Sequence, residues 1–381
     1  MPQKFDAINL LPSLSEIEVL LANPAVQDME QLRIVVLRNV TIEPIETYLR
    51  FFAYSQRFNA TIKFGGFDTI IQEAVSGAPD LLTDELDAAL IFTPIKVLSS
   101  AISSSFASLT ADQLHQEIDR IREYFETVIR GIRRQTNSMI LWHGLEPPVY
   151  AAFGIGDAQL KNGEIATVSL LNDLLRESLA AVPNAFLVDT AACLIRLGER
   201  TFYDSRFWHL ARAPYSRQAL VEIANEDFKF LRALKGRSKK CLVLDCDNTI
   251  WGGIVGEDGL SGIKLGTTYP GSAFLEFQQE VVSLFHRGII IALCSKNNEA
   301  DVWEVFDRHP DMLLRREHIA AWRINWQDKA ENLREIAEEL NIGLDSMVLA
   351  DDSEFEVSLV RSQLPEVGII ALPKGQVVEY R

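Results

Sequence analysis

Short apolar runs that stop abruptly at polar residues recur along the chain and set its expected architecture. Residues 32–37, 88–92, 138–142 and 185–188, then 241–244, 289–293 and 347–350, have the length and continuity of parallel strands buried on both faces. Helical patterns lie between them. The clearest opens on a capping box, Thr110 with Gln113, and places Leu114, Ile118, Ile121, Phe125, Val128 and Ile132 at three- and four-residue steps, which predicts a core-facing helix over 111–134. His115 reads as a solvent-edge residue of that helix. A second helix is expected after Pro270, with Phe274, Phe277, Val281 and Phe285 on one stripe and Gly288 as its close. The alternation predicts an α/β fold. At 381 residues the chain is too long for one average domain, so two are expected, 1–225 and 226–381, each a mostly parallel sheet flanked by helices. The basic stretch 235–240 reads as a solvated linker that enters the second domain at the amino end of its first strand.

The polar residues at the ends of the second-half runs carry the candidate chemistry. Residues 241–244 end in Asp245-Cys246-Asp247, a pair of carboxylates one residue apart. One can attack phosphorus and bind a hard cation while the other gives and takes a proton. Residues 289–293 lead into Cys294-Ser295, where a hydroxyl can hold a phosphoryl oxygen. Lys329 can neutralise phosphate charge, and 347–350 end in Asp351-Asp352, the further carboxylates that a magnesium ion needs. In an open α/β sheet ligands gather at the carboxyl ends of the strands, which is where these residues fall. Asn297 and Asn298 read as loop caps. Residues 251–262, glycine-rich with Gly256-Glu257-Asp258-Gly259 as a turn, are expected to form a short hairpin flap beside the site.

The set Asp245-x-Asp247, Ser295, Lys329 and Asp351-Asp352 resembles the four motifs of the haloacid dehalogenase (HAD) superfamily of aspartate-nucleophile phosphotransferases. The longer string Asp245-Cys246-Asp247-Asn248-Thr249-Ile250-Trp251-Gly252-Gly253 is similar to the FkbH-like family within it, of the IIIC type. The resemblance implies a capless HAD-like Rossmannoid second domain, because neither gap between the stations has room for a mobile cap. It implies Asp245 as nucleophile, Asp247 as acid and base, Ser295 and Lys329 as phosphate ligands, and Mg2+ held by Asp245, Asp247 through its main-chain carbonyl, Asp351 and Asp352. At the family level it implies loading of a glyceryl unit from 1,3-bisphosphoglycerate onto an acyl carrier protein in polyketide-type biosynthesis. Cys246 is then a candidate thioester nucleophile. Read from its surroundings instead, it is a small buried filler whose thiolate two carboxylates disfavour. A plain magnesium-dependent phosphatase of a sugar, lipid or protein phosphate needs no Cys246, and a scaffold with a silent HAD unit is the third reading.

The first domain loosely resembles a flavodoxin-type, SGNH-hydrolase-like unit. Such a hydrolase needs a serine after the first strand and a histidine three residues after a late aspartate. This chain has Arg38-Asn39-Val40-Thr41 and Asp204 with His209, so a structural or partner-binding role is expected.

Composition narrows the partners. With 53 acidic and 37 basic residues the net charge is −16, which argues against nucleic acid. No run approaches the roughly 20 apolar residues of a membrane span, and no secretory signal opens the chain, so a cytoplasmic protein is expected. Cys193, Cys241, Cys246 and Cys294 lack C-x-x-C spacing, and free thiols are expected. A carrier would be acidic, so a local basic patch would have to receive it. If 312–314 is the next strand, Arg315 and Arg316, with Arg323, form that patch on the rim of the site.

Overall fold

All but one of the apolar runs are strands of two parallel sheets. The structure, a computed structural model, describes residues 12–380. The chain divides into two compact units between Lys235 and Gly236. This division lies within the basic stretch 235–240 rather than at 225/226, and it leaves the helix Arg217–Leu234 whole. Leu220, Ile223, Ala224, Phe228 and Leu231 of this helix are buried in the core of the first unit, so the break falls after it. Lys235 also stays with that unit, its ammonium 2.9 Å from Asp87.

The first unit contains β1 (Glu30–Arg38), β2 (Phe58–Phe67), β3 (Ala88–Phe92), β4 (Met139–His143) and β5 (Ala185–Val188), in the order β2-β1-β3-β4-β5 and all parallel. Alternation explains why the strands read as unbroken apolar runs. Leu32, Ile34 and Val36 face one helical layer and Val35 and Leu37 the other, so both faces of β1 are buried. Strand β2 lay outside the expected set because it is an edge strand whose Asn59, Thr61 and Lys63 are half-buried or exposed. The helix Ala111–Arg133 begins at Thr110 with both hydrogen bonds of the capping box formed. Its Ile121, Phe125, Val128 and Ile132 are fully buried, each worth about 1.5–3 kcal/mol.

The second unit contains β6 (Cys241–Leu244), β7 (Ile290–Ser295), β8 (Ile319–Ile324), β9 (Met347–Asp351) and β10 (Gly368–Ala371), again parallel, in the order β10-β9-β6-β7-β8. Strand β6 is central. Its Leu242 and Leu244 face one helical layer, and Cys241 and Val243 the other. Short connections intervene: the helices Val255–Gly262 and Gly271–His286 between β6 and β7, and the helix Glu299–Arg308 with the 3-10 turn Arg316–His318 between β7 and β8. Among the described residues, no domain is inserted between these strands.

Two local expectations are corrected. The flap is a short helix rather than a hairpin, kinked at Gly259 (φ 65°) and closed at its base by the bridge between Gly252 and Lys264. Asp258 takes the amide of Ile254 at 2.9 Å and Asp247 that of Val255 at 3.1 Å, so carboxylates satisfy the first-turn donors that a ladder would otherwise use. Residues 312–314 are not a strand. The amides of Leu313 and Leu314 both donate to Oε1 of the buried Gln278, at 2.9 and 3.1 Å, so a side chain replaces the ladder. Arg315 and Arg316 therefore precede the amino end of β8, opposite the catalytic end. Arg316 makes two 2.7 Å bonds to Asp307, and Arg323 is held by Glu335 and Glu339 at 2.6 and 2.7 Å. Among the described residues, Arg315, Arg316 and Arg323 therefore do not form the expected basic patch on the site rim.

Among the described residues no helix is long and apolar enough to cross a membrane.

Candidate active site

The carboxyl end of β6 lies between β7 and β9, so Asp245 emerges with Ser295 on one side and Asp351 on the other. The Asp245 amide still donates to Ala350 O at 3.0 Å, and the chain then turns as Thr249 and Ile250 donate back to Cys246 O. Asn248 takes a left-handed conformation (φ 54°) that asparagine tolerates, and its Oδ1 accepts from Gly253 N at 2.9 Å. This turn directs Asp245 and Asp247 to different neighbours.

Asp245 enters a buried charge cluster. Lys329, the first residue of the helix Lys329–Glu339, places Nζ 3.0 Å from Asp245 and 2.7 Å from Asp351. Asp351 Oδ1 also accepts from Ser353 N at 2.9 Å. Carboxylate oxygens of Asp245, Asp351 and Asp352 all lie within 4.8 Å of one another. Burial, then the charges of Asp245 and Asp351, push Asp352 up to about 6. Burial and Asp245 likewise raise Asp351, the ammonium offsetting them only in part. Burial works against the charged form of Lys329, but Asp245 and Asp351 outweigh it and hold its pKa above the ordinary value. Three carboxylates against one ammonium leave an excess of negative charge in a cluster of which only Asp352 is half-exposed. That imbalance and the all-oxygen donor set suit a hard divalent cation.

Asp247 stands apart from that cluster, and its carboxylate is a second centre. Oδ1 accepts from Trp251 Nε1 at 2.9 Å and from Val255 N at 3.1 Å, and Oδ2 from Asn297 Nδ2 at 2.7 Å. Burial and the charge of Asp245 raise its pKa against the pull of these donors. A carboxyl so held can carry a proton at a fixed place, the requirement for a general acid.

Ser295 ends β7 and is buried, next to Lys296, whose ammonium pairs with Glu356 at 2.7 Å. Cys246 is fully buried and packs with Leu244, Ile250 and Trp251 in the apolar core. Burial, then the charge of Asp245, drives its thiol pKa well above the ordinary value. Burial and the neighbouring carboxylates disfavour the thiolate, while Ser295 at the next strand end and the Lys329 charge oppose them in part.

The structure brings Asp245, Lys329, Asp351 and Asp352 into one cluster and sets Ser295 at the neighbouring strand end. It adds two residues that the sequence reading left aside. Asn297 binds Asp247, and Trp251 does so from the loop itself. The other acidic cluster with metal-like spacing, Cys193, Glu222 and Glu226, is filled by the Arg196 guanidinium, whose Nε lies 2.5 Å from Glu222. At the exit of β1, Arg38 pairs with Glu43 at 2.5 Å and lies over the rings of Phe64 and Phe67. Asp204 caps the helix Ser205–Ala211.

The chain is similar to the N-terminal part of the protein BF1531 from Bacteroides fragilis, which contains a phosphatase domain and was crystallised with Mg. The two share 29% identity over 97% of each chain, with a TM-score of 0.85. The likeness therefore spans both units. A HAD-family enzyme of Bacteroides thetaiotaomicron, BT-2542, crystallised with magnesium and inorganic phosphate, matches 36% of this chain and 96% of its own at 12% identity and a TM-score of 0.27. No family model and no curated protein sequence matches the chain.

Proposed function

We propose that the chain is a magnesium-dependent phosphatase with Asp245 as its nucleophile. The observation that carries this reading is the cluster at the central strand end, where Asp245 meets Lys329, Asp351 and Asp352. The phosphatase domain with Mg in the Bacteroides fragilis protein supports it. Asp245, Asp351 and Asp352 would hold the ion, which when bound withdraws charge from the phosphoryl oxygens. An Asp245 oxygen bonds to phosphorus as the ester oxygen leaves, taking the proton from Asp247. Asp247 then accepts a proton from water as that water displaces Asp245 and inorganic phosphate departs. Lys329, 3.0 Å from Asp245, orients that carboxylate and faces the incoming phosphate, and Ser295 offers its hydroxyl at the next strand end.

The narrower reading, glyceryl transfer from 1,3-bisphosphoglycerate to an acyl carrier protein, is favoured by one feature. Among the described residues, no cap domain is inserted between the strands of the second sheet. In this form Cys246 serves as packing and the glyceryl unit does not pass through it. The first unit, with Arg38 and Asn39 where a hydroxyl nucleophile would stand, is read as a structural or partner-binding domain.

The test is phosphate release from an aryl phosphate with magnesium. Wild type should turn over, and Asp245→Asn or EDTA should abolish release. Near-normal turnover in either case sinks the reading. Formation of a glyceryl-loaded carrier, followed by intact mass, separates the narrower reading from the plain phosphatase.

A further inference from the structure

Two large apolar side chains stand exposed beside the partners of Asp247. Trp326 is 71% and Ile254 40% exposed. Ile254 adjoins a residue that holds the proton-donating carboxyl, and Trp326 bonds to the chain neighbour of another. Ile254 precedes Val255, whose amide donates to Asp247 Oδ1 at 3.1 Å. The indole Nε1 of Trp326 donates to Asn298 Oδ1 at 3.3 Å, and Asn298 follows Asn297, which donates to Asp247 Oδ2 at 2.7 Å. The main chain under the indole is pinned as well. Asn325 N donates to Ser295 O at 3.1 Å, and the Asn325 and Asn332 side chains bond to each other at 2.9 and 3.2 Å.

Tryptophan is seldom left this open, because burying its ring is strongly favourable. Here the ring is exposed while its polar edge and its backbone are fixed, so little freedom is lost when a ligand covers it. The leaving group of a phosphate ester must present its bridging oxygen to Asp247, and the rest of it then extends past the residues beside Asp247.

We propose that Trp326, with Ile254, forms the leaving-group subsite, and that the substrate is a phosphate monoester whose organic part presents a flat, apolar, aromatic or heteroaromatic face. This rests on the phosphatase reading and deepens it. Glycerate offers no such face, so the proposal also separates this substrate class from bisphosphoglycerate.

Binding of non-hydrolysable phosphonates tests it without turnover. With magnesium present, wild type should bind phenylphosphonate about tenfold more tightly than methylphosphonate by calorimetry. Trp326→Ala should remove that preference and leave methylphosphonate binding within about twofold, and Trp326→Phe should keep most of it. In turnover, Trp326→Ala should raise KM for phenyl phosphate about tenfold with kcat nearly unchanged, and leave glycerol 3-phosphate unaffected. Equal wild-type affinity for the two phosphonates, binding of neither, or an equal loss for both in Trp326→Ala overturns the subsite. A phenyl preference that depends on Trp326 in a protein releasing no phosphate overturns the phosphatase reading and leaves the subsite standing.

Discussion

Asn297 donates its side-chain amide to Asp247 across 2.7 Å, joining the loop after β7 to the loop after β6. Its oxygen partner is the acid and base of the proposed reaction, so the bond fixes where the proton is delivered. Asn297→Ala is expected to lower kcat by about 10- to 100-fold with KM for an aryl phosphate changed little, since a misplaced proton donor costs in the transition state. Equal kcat for the variant and wild type would remove Asn297 from the mechanism.

Lys329 is buried between Asp245 and Asp351 and is the only ammonium bonded to them among the described residues. Lys329→Met should cut kcat by about 10²–10³-fold, as loss of one aimed cation does. It also leaves buried carboxylates uncompensated, a loss of about 3–5 kcal/mol when one partner of a buried pair is removed. Melting in EDTA should therefore fall sharply, and magnesium should restore more of the Tm in the variant than in wild type. A variant whose Tm is insensitive to magnesium contradicts the shared cation site.

All four cysteines are buried. A thiol reagent such as iodoacetamide should leave the native protein unlabelled over the period in which it labels every cysteine of the denatured chain. Cys246→Ala should keep phosphate release within a few-fold of wild type. Rapid labelling of native Cys246, with loss of activity, would return it to the list of nucleophiles.

Glu146 is buried in the first unit and accepts from Tyr215 Oη at 2.6 Å, and burial raises its pKa above the ordinary 4.5. A carboxyl raised in the folded state adds most to stability below its unfolded pKa and loses that contribution as pH rises through the folded pKa. Glu146→Gln keeps the acceptor and removes the titration. The variant should gain on wild type in Tm, by about 2–4 °C for each kcal/mol, as pH rises from 4.5 towards 8, with no gain at pH 4. A gain independent of pH would point to packing instead.

Gly131 lies where the helix Ala111–Arg133 meets the helix Ile70–Ser76, and a Cβ there would sit 2.4 Å from Ala74 O. Alanine would gain about 1 kcal/mol in helix propensity. Backbone cannot yield as a flexible side chain does, so Gly131→Ala should be net destabilising by about 1–3 kcal/mol in urea unfolding.

The sequence reveals what depends on burial and strand ends, and conceals what depends on contact between distant segments. Strands β3 and β5 were legible to the residue because both are continuous apolar runs. Strand β2 was not, because an edge strand with one open side carries lysine and asparagine within it. In the catalytic cluster, Asp245 and Asp351 could be placed at strand ends from their apolar lead-ins alone. Asn297 could not, since an asparagine after a strand is usually a loop cap and its partner lies 50 residues away. The run 312–314 misled for the opposite reason. Met312 and Leu314 are buried and Leu313 between them is exposed, the alternation of a strand, while the amides of Leu313 and Leu314 are served by Gln278, which no local pattern reveals.

The placement of β6 between β7 and β9 sets the order in which activity can arise during folding. Cys241 pairs with Ile290 on one side and with Met347 on the other, so the second pairing closes by far the longer loop. Non-local parallel pairing is slow relative to helix formation. Asp351 and Asp352 reach Asp245 only when that second pairing is made. Refolding followed by far-ultraviolet dichroism should run ahead of refolding followed by phosphate release, so a chain can hold most of its helices for a time before it can bind magnesium.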